Sequence, residues 1–121
     1  MDKVDYFIEE LCRFAGEDEA YACNFKDALK ADEEIYQEFL YYMEHQNFAC
    51  KAKVCGYTVV DVLIWQIDHF RAWLVRDTSG TKENGDRMVL LAFDTMLKMR
   101  KNPQEYLERM QGETGTDFQI K

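Results

Sequence analysis

"CGYTVVDVLIWQIDHFRAWLVRD", residues 55–77, decides how this chain folds. Projected at about 100° per residue, Val59, Val60, Val62, Leu63, Ile64, Ile67, Phe70, Trp73 and Leu74 cover more than half of a helix circumference. A helix that apolar belongs at the centre of a helical bundle, packed on several sides. Thr58 stands before it with Asp61 three residues on, a form of the Ser/Thr-x-x-Glu capping box with the shorter acid. The strip left over carries Asp61, Trp65, Asp68, His69, Ala72 and Arg76. Asp68 and His69 are neighbours in sequence, so they point about 100° apart and do not converge on one substrate atom as an acid/base dyad. Asp61, Trp65 and His69 do align at i, i+4, i+8. With Arg76 they form a candidate partner contact, because a tryptophan ringed by polar groups is a common interface anchor.

Immediately upstream, "FACKAKVCGY" at 48–57 alternates with a period of two that helices do not produce, and Cys55-Gly56 falls where a two-residue hairpin turn places glycine. A short two-stranded ribbon is expected around residues 49–58, lying against the helices because an isolated hairpin is only marginally stable.

Further outward the pattern is helical. Val4, Phe7, Ile8, Leu11, Phe14 and Ala15 predict an amphipathic helix over 3–15, capped by Asp2 and ended by Gly16. The acidic run that follows keeps a helical rhythm except at Asp32, an acid in an apolar slot. This predicts one helix from about 18 to 30 and a second from 33 to 47 with Asp32 as its N-cap, Glu33 and Glu34 favoured by the dipole of its first turn. Tyr41 and His45 project with Glu38 away from Ile35 and Phe39, a second candidate partner-binding face. Downstream, "DTSGTKENGD" reads as a loop, and Met88, Val89, Ala92, Phe93, Met96, Leu97 and Met99 mark a helix from 86 to 101. Pro103 opens a short final helix, and 111–121 reads as a mobile tail after a domain over 1–110.

With 121 residues, one proline and six glycines, the chain supports a single all-α domain of five or six helices. Charge is uneven. Residues 1–45 hold 13 acids against 4 Lys and Arg, and residues 46–121 hold 10 against 11. Phosphate-binding surfaces need clustered cations, so direct nucleic-acid binding is not expected; a basic protein partner or a second copy of the chain is. No stretch reaches the roughly 18 apolar residues of a membrane span, and the charged opening "MDKVDYFIEE" does not read as a secretory signal, so a cytoplasmic protein with reduced cysteines is expected. His45, Cys50, Cys55 and His69 are ligand types for zinc, but they lack the C-x2-C or H-x3-H pairing that orients ligands on the metal. No metal, cofactor or catalytic residue is assigned, and a metal- or thiol-dependent use of these four is the lesser alternative. No phosphate-cradling glycine loop, G-x-S-x-G or H-E-x-x-H occurs.

"GYTVVDVLIWQIDHF" together with "YYMEHQNF" resembles small uncharacterised helical proteins of anaerobic Firmicutes, some carried on mobile elements, over residues 32–77. The resemblance implies a bacterial origin and brings no catalytic residues. The functional expectation is a non-enzymatic interaction or accessory protein. The alternative is an acidic regulator that mimics nucleic acid and occupies the basic groove of a DNA-acting partner, which requires the acids of residues 1–45 to form one continuous surface.

Overall fold

A computed structural model describes residues 2–69 and 82–113. Among them it has six helices: α1 (Lys3–Phe14), α2 (Glu19–Lys30), α3 (Glu33–His45), α4 (Val59–His69), α5 (Lys82–Lys101) and α6 (Pro103–Glu113). The fold is all-α, as the pattern predicts.

Local chemistry sets most boundaries. Asp2, Asp18 and Asp32 each accept a backbone amide at the head of a helix, from Val4, Tyr21 and Ile35 respectively. Helix α1 ends in a Schellman motif: Gly16, at φ 80°, donates to the Arg13 carbonyl, and Glu17 N–H reaches the Cys12 carbonyl at 2.9 Å. Helix α3 stops two residues earlier than expected because Gln46 adopts the left-handed conformation. At the head of α4 the predicted box is closed both ways: Thr58 N–H donates to Asp61 Oδ2 at 2.9 Å, and Asp61 N–H donates to Thr58 Oγ1 at 3.2 Å. Helix α5 starts at Lys82, so the last five residues of the expected loop are helical.

Two expectations about the centre of the fold are corrected. The central element is α5, which α1, α2, α3, α4 and α6 all touch. It buries Met88, Val89, Leu90, Ala92, Phe93, Met96, Leu97 and Met99. Phe93 packs edge-on against Phe39 at 5.1 Å, and Phe39 in turn meets Phe7 and Phe25 at 5.7 and 6.1 Å, so one aromatic ring joins four helices. Helix α4, more apolar by sequence, packs chiefly on α5 and leaves Ile64 54% exposed.

The second correction concerns the ribbon. It reduces to one antiparallel pair, Val54 with Tyr57, whose two reciprocal N–H···O bonds are both 2.9 Å. Cys55 and Gly56 between them have φ of 55° and 85°, the two positive values that a type I′ turn demands. The turn is thus the expected one, but no strands extend from it. Cys50 is left-handed at φ 59°, and the amides that a ladder would use are taken elsewhere.

Candidate functional site

Those amides go to Glu38. Its carboxylate accepts from Cys50 N–H at 2.9 Å, Lys51 N–H at 2.9 Å and Ala52 N–H at 3.3 Å, and the residue is 3% exposed. The expected placement of Glu38 on an outward partner-binding face is therefore corrected: it turns inward and pins the chain that crosses α3. The signal was present in the sequence. Ile35, Glu38, Phe39 and Tyr42 follow the i, i+3, i+4, i+7 spacing of a buried stripe, so an acid in that stripe had to find donors.

Around this anchor, residues 46–58 form a fixed turn. Phe48 stacks on Tyr42 at 5.1 Å, and Ala52 and Val54 are buried. Between those inward residues, Lys51, Lys53 and Cys55 point outward and are exposed. Three non-glycine residues, Gln46, Cys50 and Cys55, hold left-handed backbone angles within this one segment. Each such angle is unfavourable by on the order of 1 kcal/mol for a residue with a Cβ, and it persists only where surrounding contacts over-determine it.

Tyr41 and His45 lie on the same side of α3, one and two turns beyond Glu38. Their rings stack at 4.2 Å and both are exposed, Tyr41 at 37%. His45 Nδ1 sits 3.1 Å from the Tyr41 carbonyl oxygen, a geometry in which the ring donates from Nδ1 and leaves Nε2 facing outward. In sequence the stack lies directly before the 46–58 turn, His45 being the last residue of α3.

The strip expected on α4 does not survive as a surface. Trp65 is 4% exposed and belongs to the core, beside Val59 and Val62, while Ile64 faces out. The projection failed because α4 is apolar almost all round, so periodicity could not say which side meets α5. A tryptophan has the largest apolar surface to gain by turning inward. Gln66 goes inward with it, donating from Nε2 to Thr95 Oγ1 of α5 at 3.4 Å, a buried polar contact not expected from the sequence. Asp61 stays exposed in its capping role. The His69 side chain, Phe70 and Arg76 lie outside the described residues.

Among the described residues no three His, Cys, Asp or Glu side chains come together as a metal-binding group, so His45, Cys50 and Cys55 are not joined in one. All four cysteines are free. Cys12 is buried in the core, and burial pushes its thiol up to about 11, away from reactivity at neutral pH. Cys23 and Cys55 are exposed.

Most of the acids of residues 1–45 are divided among separate tasks. Asp2, Asp18 and Asp32 cap helices; Glu9 holds Lys26 at 2.9 Å, Glu10 pairs with Arg13, and Asp5 with Lys30. The hydrogen bond from Lys30 holds the Asp5 carboxyl below its ordinary value. Arg100 of α5 reaches back to Asp32 at 2.8 Å and Glu34 at 2.6 Å, fastening the start of α3 to the end of α5. An open groove of about 720 Å³ between α1 and α2 is lined by Glu9, Glu10, Glu17, Asp18 and Glu19, with Lys26 and Arg13 among them. Among the described residues no helix is long and apolar enough to cross a membrane. Comparison with protein families, with curated proteins and with solved structures returns no match for this chain.

Proposed function

We propose that the protein is a non-enzymatic interaction or accessory protein of the bacterial cytoplasm, and that it contacts its partner through the 46–58 turn and the Tyr41–His45 stack. The observation that carries this reading is the fixing of an exposed turn in a strained shape. The segment holds three left-handed non-glycine residues, and a buried carboxylate spends its hydrogen-bonding capacity on the amides of Cys50, Lys51 and Ala52 in its middle. The anchoring satisfies the buried acid and stabilises the fold, and a recognition surface gains affinity besides by being ordered before it binds. An exposed tyrosine beside a histidine adds rigid, amphipathic contact area.

The engagement of most of the acids in caps and ion pairs favours this reading over the nucleic-acid mimic, which needs unpaired negative charge in one continuous array. The deciding experiment is a quantitative pull-down from host lysate with the full chain as bait, beside a Tyr41→Ala/His45→Ala double variant. Both residues are exposed, so the variant should keep its helical circular dichroism. Proteins retained by the wild type and lost from the variant support the reading. Identical capture by both baits refutes this surface. Capture of DNA-acting proteins that is insensitive to the double variant and abolished by salt would move the assignment to the mimic.

A further inference from the structure

We draw no further inference here: the strongest candidate, the outward apolar patch on α4 where Ile64 is 54% exposed beside the half-buried Val60 and Leu63, carries none, because nothing among the described residues shows what covers it.

Discussion

Replacing Glu38 tests whether the turn is held from beneath. In Glu38→Ala the amides of Cys50, Lys51 and Ala52 all lose their acceptor. Lys51 is exposed and its amide can turn to water, whereas Cys50 is half-buried and Ala52 is buried. At about 1–3 kcal/mol for each buried donor left unsatisfied, the two sheltered amides give a loss of about 2–6 kcal/mol. Urea unfolding should show the midpoint falling by the corresponding amount with little change in slope. Glu38→Gln sharpens the test, because the amide keeps only one acceptor oxygen. Placing that oxygen at the Oε1 position satisfies Lys51 and Ala52 and sets an NH₂ against the Cys50 amide; the flipped arrangement opposes two donors instead of one. Hydrogen exchange should therefore accelerate at Cys50 and remain protected at Lys51 and Ala52. A loss below about 0.5 kcal/mol in the alanine variant, or uniform exchange across all three amides in the glutamine variant, would refute the reasoning.

Trp65→Ala should destabilise the fold by about 3–5 kcal/mol, since the indole is buried beside Val59 and Val62, and thermal unfolding measures it directly. Cys55→Asn should stabilise by roughly 0.5–1 kcal/mol in the same assay, because asparagine before glycine suits the left-handed position that cysteine occupies at strain. The Cys12 thiol is raised in the folded chain by burial, so the stability it contributes is complete below its unfolded value near 9 and is lost as pH rises toward about 11. Cys12→Ala should flatten that alkaline limb in pH-dependent urea titrations.

What was legible in the sequence was what short stretches of chain decide for themselves. Asp32 as an N-cap, the Thr58–Asp61 box, the end of α1 at Gly16 and the start of α6 at Pro103 all depend on residues within one turn of each other. The buried side of α4 was not legible, because Val59, Val60, Val62, Leu63 and Ile64 gave no polar face to orient by, and only the position of α5 chose Trp65 over Ile64. The ribbon failed for a related reason. The alternation of Ala52 and Val54 with Lys51 and Lys53 is real, but a carboxylate twelve or more residues away captured the donors that a ladder needs. The candidate site followed the same division. Tyr41 and His45 could be paired from helical spacing, while the inward turn of Glu38 onto the amides of residues 50–52 depends on a chain segment twelve or more residues away.

That α5 is the helix on which the others assemble has a consequence during synthesis. Helices α1, α2 and α3 leave the ribosome first with Phe7, Phe25 and Phe39 ready to cluster, but Phe93, the ring that closes their core, is made some 48 residues after α3 ends. At about 5–20 residues per second this leaves the aromatic cluster uncovered for roughly 2–10 s. During that interval the nascent N-terminal half displays the apolar surface that holdase chaperones recognise, so the yield of folded protein depends on how quickly α5 emerges rather than on how well α1 to α3 form.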